Sequence, residues 1–150
     1  MTIEPQDPGF EARVRAGFQR QQVMATLGAR LTRVAPGETE IELPFRAELA
    51  QQDGFLHAGI VTTILDSACG GAAFTLMPAD AGVLSIEFKT NLLAPARGEL
   101  LVARARVVRA GRTITVCQAD GLMVDGGREV HVATMTATMM TVLGRGGAEG

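Results

Sequence analysis

The stretch Ala58-Gly59-Ile60-Val61-Thr62-Thr63-Ile64-Leu65-Asp66-Ser67-Ala68-Cys69-Gly70-Gly71-Ala72-Ala73-Phe74-Thr75-Leu76-Met77 decides how this chain reads, and Pro78 follows it. Asp66 is its only charged residue. A run of this length without strand alternation predicts a helix that ends at the proline. The acid, the threonines and the glycines argue for a buried core helix rather than a membrane span. A helix that is apolar nearly all round must be enclosed by something.

The enclosure is written on either side. Downstream lie four strand-like segments: Gly82–Leu93, Gly98–Arg109, Thr113–Val124 and Arg128–Val142. They are separated by Pro95-Ala96-Arg97-Gly98, Ala110-Gly111-Arg112 and Asp125-Gly126-Gly127, all turn chemistry. Such short connections predict an antiparallel meander. Upstream, Leu31–Val34 and Thr39–Leu43 flank a Pro-Gly turn and predict a hairpin closed by Pro44. Ala47–Phe55 reads as a polar loop. Phe10, Val14 and Phe18 recur every four residues, so about 10–27 is expected as an amphipathic helix ended by Gly28. The tail 144–150 is Gly-rich and expected to be flexible. The sum is one α+β domain over 1–150, with its core at about 28–142 and a curved antiparallel sheet around one long central helix.

Composition limits the function classes. The chain has 150 residues, 47% apolar, 20% charged, with a net charge of -2. That balance lacks the cationic field of a general nucleic-acid binder. Met1–Phe10 carries Glu4, Asp7 and two prolines rather than a signal-peptide layout, so the cytoplasm is expected and a membrane partner is not. The two cysteines, Cys69 and Cys117, sit in apolar segments and predict reduced core thiols. Neither has metal-ligand spacing to His57 or His131, and no metal or cofactor is expected.

At 100° per residue, Ile60, Val61, Ile64 and Ala68 fall opposite Asp66 and face the sheet. Gly59, Thr62, Thr63, Gly70 and Ala73 share the direction of Asp66, so the acid lies on a face of small and hydroxylated residues. A carboxylate there must be paired, hydrogen-bonded or partly solvated. It is either a structural acid held by an arginine, Thr62 or Thr63, or a catalytic base or nucleophile. Gly59 lies almost two turns upstream, about 10 Å along the axis. The free first-turn N–H groups beside it would suit a carbonyl oxygen gaining negative charge. His57 is either a cap or loop anchor, or a donor at the same place.

The stretch His57-Ala58-Gly59 through Asp66-Ser67-Ala68 resembles the helix signature of hotdog-fold acyl-CoA thioesterases of the phenylacetate-degradation branch. The likeness continues through Ser85-Ile86-Glu87-Phe88-Lys89-Thr90-Asn91-Leu92-Leu93-Ala94-Pro95-Ala96 and Val108-Arg109-Ala110-Gly111-Arg112-Thr113, covering roughly 25–142 in order. The resemblance implies a hotdog fold and hydrolysis of acyl-CoA to free acid and CoA, with Asp66 as general base or nucleophile. It implies that the Ala58 N–H polarises the carbonyl, with His57 and Gly59 beside it. Gln51 would position water or substrate, and Ser85 would hold the attacking water. Arg109, Gly111 and Arg112 would contact CoA phosphate; a solvated turn is the plain alternative. Ala58 departs from the family's usual glycine, which leaves a backbone role intact. The resemblance also implies a homodimer or homotetramer with sites shared between subunits, and an open sheet edge argues the same way. The other classes are a hotdog hydratase or dehydratase, whose helix signature is missing here, and a non-catalytic acyl-CoA-binding protein.

Overall fold

The computed structural model describes residues 3–145. Six strands form one antiparallel sheet: β1 (Arg30–Ala35), β2 (Glu38–Pro44), β3 (Ala81–Leu92), β4 (Leu100–Ala110), β5 (Ile114–Asp125) and β6 (Arg128–Leu143). The helices are α1 (Phe10–Arg20), α2 (Gln22–Leu27) and α3 (Ala58–Phe74), with a single 3-10 turn at Ala47–Leu49 in the expected polar loop. The sheet curves around α3, as the run of apolar helix residues demands. Val61, Ile64, Leu65, Ala68, Cys69 and Ala72 are buried against it, and Ile60 packs at the margin of the core. Met123, Met135, Met139, Leu101 and Ile41 meet them from the strands.

Strand order is β1-β2-β4-β5-β6-β3, which corrects the expected four-strand meander. Only β4, β5 and β6 meander. β3 pairs with β6 from Ala81↔Leu143 to Leu92↔Ala133 and so occupies the far edge. The linker at 93–99 is long enough to cross the sheet end, because Leu93 donates to Val132 O and Glu99 to Val124 O. Short connections suggested adjacency, but the partner of a strand is set by tertiary packing.

Two helix boundaries also differ. The expected helix over 10–27 is two helices, broken at Gln21, which is extended (φ -74, ψ 97). Its side chain accepts a hydrogen bond from Ser67 Oγ on α3 at 3.0 Å, so a contact with α3 is present at the break. Gly28 ends α2 in the left-handed region (φ 79), as its lack of a Cβ permits. α3 stops at Phe74 rather than Met77. There Thr75 Oγ1 donates to Ala72 O and accepts from Gly37 N, tying the helix end to the β1–β2 turn.

Arg13 fastens α1 to the same helix end. Its guanidinium donates to Phe74 O, Met77 O and Pro78 O, pairs with Asp7 at 3.0 Å, and lies 4.3 Å from the Phe74 ring centre. A cation is favourable at the carbonyl end of a helix. Cys69 and Cys117 are both free and buried. Arg104 and Arg106 alternate along the solvent face of β4 and are exposed; Arg104 bridges Glu40 and Glu129. No described helix is long and apolar enough to cross a membrane. Residues 146–150 of the expected flexible tail lie outside the described residues.

Candidate active site

Asp66 is half-buried and opens into a cleft of about 340 Å³ beside α1. Its Oδ1 accepts a hydrogen bond from Ser85 Oγ at 2.7 Å. Among the described residues it has no ion pair, and neither Thr62 nor Thr63 bonds it; Thr63 instead donates to Gly59 O. Ser85 owes its aim to a β-bulge. The β3–β6 register slips between Ser85 and Glu87, so an extra residue bends the edge strand there. Gly70 and Gly71 on α3 line the same cleft, whose opposite wall is Gly17 and Phe18 of α1. Ala73, expected on the same face as Asp66, is fully buried in the core.

The helix start is a second, separate place. His57 caps α3: its Nδ1 accepts from Gly59 N at 2.9 Å, which leaves the hydrogen of a neutral ring on Nε2. The ring comes so close that a Cβ at position 59 would stand 3.1 Å from Nδ1, which accounts for the glycine. The N–H groups of Ile60 and Val61 both go to His57 O. Ala58 N–H alone in the first turn finds no acceptor among the described residues. It lines a cleft of about 450 Å³ with Gln51, Phe55, Val61, Leu92 and Pro95. Gln51 also organises its own loop: Oε1 accepts from Asp53 N at 2.6 Å and Phe55 N at 3.2 Å.

The expected site residues therefore fall into three places in one chain. Asp66 and Ser85 are together; Gln51, His57, Ala58 and Gly59 are together at the helix start; Arg109, Gly111 and Arg112 form the exposed β4–β5 hairpin tip at the other end of the sheet. Gly111 keeps the tip tight, since a Cβ there would meet Ile114 O at 2.7 Å. Sequence reading passed over Ser67, Gln21, Arg20 and Arg145 on the Asp66 cleft. Ser67 adjoins Asp66 and was open to notice; the others reach the cleft only through packing. Burial pushes both thiols up, Cys117 to about 12, so neither cysteine supplies a nucleophile. No group of three or more metal-ligating side chains exists among the described residues.

A single curved antiparallel sheet closed over a long helix, with that helix's lone acid held by a serine of the edge strand, makes this a hotdog-fold protein. Comparison with known proteins narrows that class. The chain belongs to the thioesterase superfamily, whose family model matches residues 53–130. It is 32% identical over 120 residues to a Halobacterium salinarum protein provisionally named an esterase, covering 73% of this chain and 79% of the relative. It is 28% identical over 92 residues to the 1,4-dihydroxy-2-naphthoyl-CoA hydrolase of Listeria monocytogenes, covering 61% and 74%. A solved thioesterase family protein from Silicibacter pomeroyi superposes with a TM-score of 0.90 at 54% identity, over 91% of this chain and all of that one. The fold is shared with the PaaI protein of the E. coli phenylacetic acid degradation operon, TM-score 0.80 at 16% identity over 89% and 94%.

Proposed function

We propose that this chain hydrolyses acyl-CoA thioesters, with Asp66 as the acting carboxylate. The observation that carries the reading is the state of that acid: alone on an apolar helix, held by one serine hydroxyl, without an ion pair among the described residues, and open to a cleft. An acid placed only for structure has no need of an open cleft, whereas a base or nucleophile must be reached by substrate. Asp66 either takes a proton from water as that water attacks the carbonyl carbon, or attacks the carbon itself to give an anhydride that water opens. In both routes a C–O bond forms, the C–S bond breaks, and CoA leaves as the thiol after protonation. Ser85, bonded to the reacting carboxylate, orients it. The free Ala58 N–H at the positive end of α3 receives the oxyanion, with His57 and Gly59 fixing the turn that presents it and Gln51 beside it. The Listeria relative acts on a CoA thioester by name, which supports the substrate class.

The two halves of this machinery line different clefts of one chain, so we infer that a second copy joins them. The edge strand β3 supports that inference. Leu84, Ile86, Phe88 and Leu92 are exposed along it, with an unpaired backbone edge. Pairing two β3 edges would cover this apolar strip and bring one copy's Asp66 towards the other's helix start. The arrangement is a homodimer or a homotetramer built from it. Arg109, Gly111 and Arg112 are the proposed CoA phosphate contact, exposed and, for both arginines, without a described ion pair. The proposed setting is the cytoplasm, with the working unit a single domain.

The test is Asp66→Asn. Release of free CoA from a panel of short, medium, long and aromatic acyl-CoA esters should fall by roughly 10²–10⁴-fold. The melting temperature and CoA binding should hold. Normal turnover by the variant would remove Asp66 from the chemistry.

A further inference from the structure

Two arginines that the proposed hydrolysis does not use, Arg20 and Arg145, line the same cleft as Asp66. Five other arginines are held by acids: Arg13 by Asp7, Arg15 by Glu11, Arg30 by Glu42, Arg33 by Glu38, and Arg104 by Glu40 and Glu129. Arg20 and Arg145 have neither an ion pair nor a hydrogen bond among the described residues. Asp66 is the only acid on the cleft lining, and its bond goes to Ser85. The lining therefore carries two cations against one anion, in a chain whose net charge is -2.

Both arginines are placed by specific local structure. Arg20 closes α1, where a cation already suits the helix dipole. Its position on the cleft is fixed next door, because Gln21 breaks the helix and is bonded to Ser67, the residue after Asp66. Arg145 follows β6 and lies across the start of β3. Gly82 leaves it room: a Cβ there would stand 3.0 Å from the Arg145 Cβ. The rest of the polar lining, Gln21, Thr39, Ser67 and Ser85, is neutral.

We propose that Arg20 and Arg145 form an anion-recognition rim on the Asp66 cleft, which receives a negatively charged group of the thioester substrate. That group is either a carboxylate carried by the acyl chain or a phosphate of CoA. Guanidinium forks suit both. The inference rests on the hydrolase reading for its substrate, but the arginines act on binding and not on the reacting atoms.

The experiment compares wild type with Arg20→Gln, Arg145→Gln and the double variant on four thioesters: hexanoyl and adipyl esters of CoA, and the same two of pantetheine. Both side chains are exposed, so the variants should fold as wild type does. If the acyl carboxylate is the anion, the double variant loses about tenfold to a hundredfold in kcat/KM on both adipyl esters and keeps both hexanoyl esters. If a CoA phosphate is the anion, the loss falls on both CoA esters and spares both pantetheine esters. Either pattern supports the rim, and added salt should weaken it in proportion. Equal rates for all variants on all four overturn it. Should wild type hydrolyse none of them, nor any ester of the wider acyl-CoA panel, the hydrolase reading fails. Calorimetric Kd values for hexanoyl-CoA and adipyl-CoA would then judge the arginines separately, unchanged affinity in the double variant overturning the rim.

Discussion

Ala58→Pro isolates the proposed oxyanion donor with little collateral damage. Ala58 is the first residue of α3, and its N–H is the one in that turn without an acceptor among the described residues. Proline at a first helical position loses only a hydrogen that no helix bond uses, and its fixed φ suits the helix. The preceding residue must be extended, and His57 already is, at φ -61 and ψ 136. The helix should therefore persist, the cap from Gly59 N to His57 Nδ1 should remain, and thermal stability should stay within about 0.5 kcal/mol. Catalysis should not survive as well. Deleting one oxyanion donor costs about 2.7–4 kcal/mol, a fall of about 10²–10³-fold in kcat. The assay is CoA release from one good acyl-CoA ester, with circular dichroism melts alongside. Mixing then tests how the halves are shared. Ala58→Pro and Asp66→Asn chains, unfolded together and refolded at equal amounts, give about half heterodimers, and one of the two sites in each heterodimer would be intact if it draws on both copies. Activity should return to about a quarter of wild type from two nearly inactive parents. Full activity in Ala58→Pro alone, or no recovery on mixing despite confirmed heterodimers, would refute the shared-site reasoning.

Two further outcomes concern the frame that holds the site. Arg13→Ala removes three bonds to the carbonyl end of α3, the Asp7 pair and the contact with Phe74, so unfolding free energy should drop by about 3 kcal/mol in a urea titration. A loss below about 0.5 kcal/mol would show that α1 is held by apolar packing alone. The second outcome is alkaline. Both thiols are raised by burial, so the unfolded chain loses those protons first, and stability present below the ordinary thiol value should decline from about pH 9 upward. Each thiol contributes a slope of up to about 1.4 kcal/mol per pH unit. Because the chain has no tyrosine and Lys89 is its only lysine, few side chains compete in that range. Cys69→Ala with Cys117→Ala should flatten the slope, and an unchanged slope would assign it elsewhere.

Much of the molecule was legible in the sequence because burial leaves a periodic trace. The apolar run of α3, the alternation of β4, β5 and β6, and the turn residues between them are local signals, and they predict a sheet around a helix. The acid on that helix was equally plain, since a charge among hydrocarbon is costly and stands out. Its partner was named only through the family resemblance, since no local signal points to it. Ser85 is nineteen residues away, and a bulge in an edge strand aims it at Asp66.

What the sequence determined by itself is the content of the layers: one enclosed helix, its single carboxylate, and strands able to cover it. Tertiary structure alone decided that β3 pairs with β6 and lies at the edge, that Gln21 breaks the first helix, and that the helix start and Asp66 open into different clefts. The physical reason is range. Periodicity, capping and turn chemistry act over a few residues and write themselves into adjacent letters. Strand partnership and the convergence of side chains depend on how distant surfaces fit, which no short stretch records.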